Sequence, residues 1–281
     1  MIEYLVFAAV FGLLLLGIHR KVIARIQIRP GPPIWQEILH ALKFSFKSTW
    51  VPKTASSALF VAVVLVGIGI WSAALFVVLA GESILILFAI YMLHKIVEHG
   101  YGLSSGSPYG KFGGVRSVIS AASEIPLFVT IAAIYLFTGS LILRDITAYQ
   151  DIHGPLLLIA PPVALAMYIV ILSKMPYGPF SIVESKELVS GYKTEHFGAW
   201  RAGLAVTDGL KTFVLLYAFV AIFIGAVPFW AALIIMTAVL ISLSFVCAVT
   251  PMLSPFDSVT VQGIITGLML IYAGCLWWVM S

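Results

Sequence analysis

The sequence predicts an all-α polytopic membrane protein with about eight transmembrane helices and one interfacial amphipathic helix. Three observations carry that prediction. Apolar residues fill 61% of the 281 positions and charged residues only 10%, where a soluble domain carries roughly 25% charged residues. Apolar runs long enough to cross about 30 Å of hydrocarbon recur along the whole chain. The basic residues gather in a few connecting segments, as membrane topology requires. The net charge of +4 therefore reflects topology, and nucleic acid is not expected as a partner.

Spans are expected near 2–19, 55–80, 83–99, 115–143, 155–175, 199–226, 228–249 and 258–280, in a single integral membrane domain covering residues 1–281. The first run is followed, not preceded, by its charges (His19, Arg20, Lys21) and lacks a small-residue cleavage site. It reads as a retained span rather than a signal peptide. Basic residues cluster after the first span (Arg20 to Lys53), after the third (Lys111, Arg116) and after the fifth (Lys174, Lys186, Lys193, Arg201). Arg144 alone falls on the opposite side. This bias puts the odd-numbered loops in the cytoplasm of a cell-membrane protein and both termini outside.

The segment 33–49 is too polar to span. Ile34, Ile38, Leu42 and Phe46 recur every four residues while Glu37, His40, Lys43 and Lys47 face elsewhere, the pattern of a helix lying in the interfacial plane. Its approach, Arg29-Pro30-Gly31-Pro32-Pro33, forces a turn. A passive surface helix is the plainer reading of the spacing. The Gly/Ser-rich stretch 100–114 lacks a phosphate-loop spacing and reads as a tightly turned loop facing a partner. The charge-dense loop 176–198 reads as a docking surface or a reorganising loop.

Three charged residues interrupt the apolar runs: Glu124, Asp208 and Lys211. A charge near the bilayer centre costs several kcal/mol and needs an internal reason. Glu124 stands eight residues beyond Arg116, and Asp208 eight beyond Trp200, so each is expected roughly 12 Å deep at 1.5 Å per residue. Lys211 follows Asp208 at i+3, on the same helix face. The two acids could form an ion-translocation relay, or Asp208 and Lys211 a static pair that pins helices. His94, Lys95, Glu98 and His99 form a polar cluster near the end of the third span. It reads first as a solvated helix end with Lys95 snorkelling to the interface. The sharper reading makes Lys95 and Glu98 a cytoplasmic mouth for the same path.

Cys247 and Cys275 are far apart and form no CxxC pair. No metal or cofactor is expected on this chain, and no catalytic residue. Redox chemistry would belong to partners.

Over roughly residues 25–215 the chain resembles the H subunit of complex I (NADH:quinone oxidoreductase) and its homologues in membrane-bound, energy-converting nickel–iron hydrogenases. The resemblance rests on Arg29, Gly31 and Pro32; on Gln36, Lys43, Phe46, Lys47, Trp50, Pro52 and Lys53; and on Gly102, Ser104, Ser105, Tyr109, Gly113 and Arg116. It continues through Glu124, then Pro179, Phe180, Glu187, Leu188, Gly191, Glu195, Gly198 and Asp208. Lys211 is not part of the family pattern. His40, Ser48, Thr49 and Ser181 stand where the family usually carries acidic residues, and the acidic loop around Glu184 is one residue short. Gly106-Ser107-Pro108-Tyr109 leans to the hydrogenase branch and its sulfur-reducing relatives.

The resemblance implies a membrane subunit that docks a peripheral redox module and couples electron transfer to proton or sodium movement. The docking and coupling residues would be Arg29, Gly31, Pro32, Lys43, Ser105, Tyr109, Arg116, Phe180, Glu184, Glu187 and Glu195. The implied partners are a nickel–iron-type large subunit, an iron–sulfur small subunit and antiporter-like membrane subunits, with iron–sulfur clusters and a nickel–iron centre held by those partners. A quinone-chamber subunit of a complex I-like enzyme is the alternative within the family. A stand-alone secondary transporter is the alternative from another class, although the spans carry no inverted repeat with paired broken helices. A plain structural anchor is the last.

Overall fold

The computed structural model describes residues 2–121, 124–182 and 192–280; the side chains of Glu124, Tyr192, Val279 and Met280 also lie outside what it describes. Among the described residues, seven helical stretches are long and apolar enough to cross a membrane: Ile2–Ile26, Ser57–Ala80, Ile84–Ser104, Pro108–Thr138, Ala199–Phe223, Phe229–Val249 and Pro255–Trp278. In chain order these are helices α1, α3, α4, α5 with α6, α10, α11 and α12, where α5 covers Pro108–Ser120 and α6 Glu124–Thr138. The helices α2 (Gln36–Ser45), α7 (Leu143–His153), α8 (Leu156–Ile159) and α9 (Pro161–Leu172) are shorter.

Helix α10 is the axis of the bundle. In its most apolar stretch 72% of residues are buried, against 11% in α12 at the periphery. Packing on α1 is closest at Gly12, where an added Cβ would lie 2.0 Å from the Gly209 carbonyl oxygen. Only two residues without side chains let the backbones approach so closely, which is how apolar helices gain packing energy inside a lipid solvent. Phe7 and Phe11 of α1 then meet Phe213 of α10 edge-on, at 6.2 and 6.1 Å between ring centroids.

Local signals fix the ends of the antiparallel α3–α4 pair. Gly81, at φ +70°, closes α3, with Glu82 N–H donating to Val77 O at 3.0 Å and Gly81 N–H to Val78 O at 3.2 Å. That is the Schellman arrangement, which needs a left-handed residue. The Ser83 hydroxyl accepts from Leu85 N–H at 3.2 Å and caps α4. At the far end of α4 the chain turns through Ser105, Gly106 and Ser107, and Ser107 caps α5 by accepting from Tyr109 N–H at 3.2 Å, with Pro108 in the first turn.

Several expectations are corrected here. The fifth span, 155–175, is not one helix: Ala160, at φ −132° and ψ +60°, breaks it into α8 and α9. Pro161 and Pro162 have no N–H to continue the ladder, so the helix restarts at them. The stretch 100–114 is not a loop. Most of it is the end of α4 and the start of α5, so Tyr109 and Arg116 are helical. Its glycines serve packing: an added Cβ on Gly102 would meet Gly110 O at 2.5 Å and Gly114 N at 2.6 Å. The segment expected to be a short outer loop contains α7, an amphipathic helix burying Leu143, Ile146 and Gln150. Gln150 joins it to α10 by donating to Ala221 O at 3.2 Å.

Replacing Gly12 by Val should lower folded-state stability by about 2 kcal/mol or more through forced separation of α1 and α10. Gly69, with nothing within 4 Å of an added Cβ, should accept Ala within about 1 kcal/mol. Thermal unfolding of the two variants in one detergent checks the contrast.

Candidate ion-path site

At the basic end of the bundle lies a cavity of about 280 Å³. Its wall is built from α1, α2, α4, the last residue of α5, the segment 173–181 after α9, the turn at 193–194, and α10. Each charged lining residue is placed by a helix face or a tethered turn. Arg20 of α1 and Glu37 of α2 form an ion pair that draws the interfacial helix against the bundle. The approach to α2 is tied down as well. Lys21 Nζ donates to Pro30 O at 2.8 Å, and Gly31, at φ +65°, supplies the left-handed turn that a side chain would resist.

Deeper in, Lys95 and Glu98 of α4 pair at 2.5 Å with side chains 8% and 11% exposed, and Lys95 also donates to Ser120 Oγ at 2.5 Å. The expectation of a solvated helix end with a snorkelling lysine is therefore wrong. The i, i+3 spacing brings both groups to one buried face, where each neutralises the other. His94 is buried with them. His99 instead serves α4–α5 packing, its Nδ1 lying 2.8 Å from Gly114 O.

Asp208 sits between two ammonium groups. Lys211 pairs with Oδ1 at 2.8 Å, as the spacing within α10 predicts. The second partner, Lys193, reaches Oδ2 at 2.7 Å from outside the helix, within the short 3-10 turn Tyr192–Glu195. No periodicity connects Lys193 with Asp208, so reasoning from the sequence missed it. Arg201 Nη1 donates to Lys193 O at 3.0 Å and holds that turn against the start of α10. Gly198 and Thr49 add a second clamp, with Ala199 N–H donating to Thr49 Oγ1 at 3.0 Å. Trp50 stacks on Phe197 at 4.3 Å between centroids.

The remaining expected site residues divide by exposure. Lys43 is exposed on α2, Tyr109 on α5, and Arg29 and Pro32 lie on the approach to α2, Arg29 exposed and Pro32 half-buried. Glu195 is half-buried in the 3-10 turn. Arg116 points inward and donates to Ile182 O at 3.3 Å. Ser105 is fully buried and Phe180 nearly so, so neither can offer a docking surface. Ser105 O accepts from Thr54 Oγ1 at 2.9 Å, and Phe180 lines the cavity. Glu184 and Glu187 fall outside the described residues, as does the side chain of Glu124, whose backbone opens α6. Both His40 and Ser181, where the resembled family carries acids, line the cavity. Among the described residues its charged lining holds six lysines and arginines against Glu37, Glu98 and Asp208. Also among the described residues, no three His, Cys, Asp or Glu side chains come together as a metal site.

Asp208→Asn should destabilise the fold by about 3–5 kcal/mol, because it leaves two ammonium groups facing an uncharged amide. Adding Lys211→Met and Lys193→Met should recover part of that loss. Unfolding midpoints of the single and triple variants measure it, and additivity of the three changes would show that the groups do not interact.

Residues 1–279 match the family model described as NADH dehydrogenase. A protein of Methanocaldococcus jannaschii, provisionally named an NADH-ubiquinone oxidoreductase, is 50% identical over 273 residues, covering 96% of this chain and 92% of that one. NADH-quinone oxidoreductase subunit 8 of Thermus thermophilus is 32% identical over 203 residues, 64% of this chain and 56% of that one. The H subunit of the NADH-quinone oxidoreductase of Dehalococcoides mccartyi is 28% identical over 209 residues, 68% of this chain. The match spans only 59% of that relative. A chain of the membrane-bound sulfane sulfur reductase, an archaeal respiratory membrane complex, superposes with a TM-score of 0.85 at 24% identity, covering 97% of both chains. That last likeness is one of fold.

Proposed function

We propose that this chain, which belongs to the NADH dehydrogenase family, is a membrane subunit of an ion-translocating oxidoreductase complex that couples electron transfer in a docked redox module to ion movement. The observation that carries the reading is the Lys193–Asp208 pair. One partner stands within α10 and the other on the connection that returns from the basic end. A change in that connection would alter the number of cations facing Asp208 from two to one, with Lys211 left alone. Asp208 protonation would respond, since a carboxylate in a weakly polar surround follows its nearest charges.

In this reading the basic end faces the cytoplasm of a cell-membrane protein and both termini face outside, in keeping with the distribution of Lys and Arg. The redox module docks on the exposed part of that end: α2, its approach with Arg29 and Pro32, and the first turn of α5 with Tyr109. The partners are a nickel–iron-type large subunit with an iron–sulfur small subunit. Antiporter-like membrane subunits take up the charge displacement originating at Glu124 and Asp208. The iron–sulfur clusters and nickel–iron centre belong to those partners. The names of the bacterial relatives favour a quinone-reducing setting. The replacement of acids by His40 and Ser181 in the cavity wall speaks for the hydrogenase-like or sulfur-reducing one.

Mass spectrometry of gently solubilised native membranes should find the chain with an iron–sulfur subunit, a large redox subunit and antiporter-like proteins. Within that complex, Glu124→Gln should abolish proton or sodium transport while peripheral electron transfer stays within about twofold of wild type, because an intramembrane charge is removed far from the redox centres. Recovery of the chain alone, or normal ion gradients in the variant, contradicts the proposal.

A further inference from the structure

His94 lies at the midpoint of α4, ten residues from Ile84 and ten from Ser104, so roughly 15 Å from either end. Lys211 lies at the midpoint of α10, twelve residues from Ala199 and twelve from Phe223. Both therefore stand at mid-depth in their helices. His94 is 2% exposed and is not one of the residues facing the cavity. Among the described residues, Lys211, Glu98, Lys95 and Lys174 lie close enough to act on it.

The hydrogen bonding of His94 determines what it can do. Trp71 Nε1–H donates to His94 Nδ1 at 3.1 Å. An indole nitrogen is only a donor, so Nδ1 must keep its lone pair and the ring proton must sit on Nε2. A second proton on the ring would collide with the Trp71 N–H. Among the described residues, its charge would also face the ammonium groups of Lys211, Lys95 and Lys174, with Glu98 opposing them. The imidazole is therefore neutral with Nε2–H outward, and Trp71 holds it so. Yet Nε2 is buried and has no hydrogen-bond partner among the described residues. A buried N–H without an acceptor costs about 1–3 kcal/mol, and in native proteins such a group is ordinarily met by ordered water.

We propose that His94 is a fixed, uncharged donor that holds a water molecule at mid-depth through Nε2–H, extending the ion path inward from the cavity cluster of Lys95, Glu98 and Lys211. The water accepts from Nε2 and keeps its own two protons and second lone pair for that charged cluster. His94 is a positioning residue, and its proton does not leave the ring. Trp71 is its partner in this role: it also lines the apolar space enclosed by α3, α4, α6, α9 and α10, and it fixes the tautomer. The inference rests on the coupling function proposed above.

Three forms of the whole complex test it: His94→Leu, His94→Gln and wild type. Glutamine can accept from Trp71 through Oε1 and donate through Nε2, whereas leucine does neither. The expected result is a density within hydrogen-bond distance of His94 Nε2 in a high-resolution cryo-EM map of wild type. Proton and sodium transport per electron should fall about tenfold or more in His94→Leu. His94→Gln should restore most of that transport with an unchanged pH profile between about pH 5 and 8. Density absent at Nε2, normal transport in His94→Leu, or a His94→Gln variant as defective as His94→Leu each overturns the proposal. The last outcome would make His94 a titrating relay. If His94→Leu does not assemble, the wild-type density and the His94→Gln profile decide. A wild-type complex that moves no ions defeats the coupling function instead, and the density then judges His94 alone.

Discussion

The constraint on which this structure depends is the cost of charge inside a weakly polar interior. Asp208, Glu98, Lys95 and Lys211 are tolerable only because each lies within hydrogen-bond reach of an opposite charge. That requirement decides how the helices sit. Glu98 and Lys95 must share one face of α4, Asp208 and Lys211 one face of α10, and both faces must look into the same cavity. The glycine contact between α1 and α10 then closes the bundle around it. A buried ion pair adds little net stability compared with a packed apolar pair.

The two ends of the molecule are tied to the bundle by different contacts. At the basic end, the side-chain tethers on α2, the turn at 105–107 and the 3-10 turn at 192–195 include Arg20 to Glu37, Thr54 to Ser105 and Lys193 to Asp208. The first and last of these tethers join a surface segment directly to the cavity wall. A partner pressing on those segments would thus act on buried charges through one or two bonds, with no movement of the apolar core. At the opposite end, α7 and the Gly81 turn are fixed to the bundle by Gln150 and by Arg144, which donates to Ala80 O at 3.1 Å. Neither tether touches the charged cluster.

Much of this was legible in the sequence. Hydropathy located the long apolar helices other than the expected fifth span, and the i, i+3 spacing of Asp208 and Lys211 gave their pair. The Ile34–Phe46 pattern gave the short helix α2, Gln36–Ser45. What was missed has physical reasons. Gly102 of α4 packs against Gly110 and Gly114 of α5, and Gly106, at φ +68°, makes the turn between the two helices, but their composition alone reads as a loop. Ala160-Pro161-Pro162 carried a break signal that an unbroken apolar run concealed. Helix α7 is too short and polar to register as a span, although Leu143, Ile146 and Gln150 mark one face. Lys193 could not have been matched to Asp208, because a contact between a connecting turn and a helix face leaves no periodic trace. The Trp71–His94 hydrogen bond joins residues twenty-three apart in sequence on two different helices.

The most direct test of this account is the ratio of ions moved to electrons transferred in the assembled complex carrying Lys193→Met. If the turn acts on the membrane interior through Lys193 and Asp208, the ratio falls by about tenfold while electron transfer and complex assembly persist, since about 1.4 kcal/mol of lost coupling suffices for that change. An unchanged ratio would mean that the pair only braces the fold, and that coupling runs through other groups.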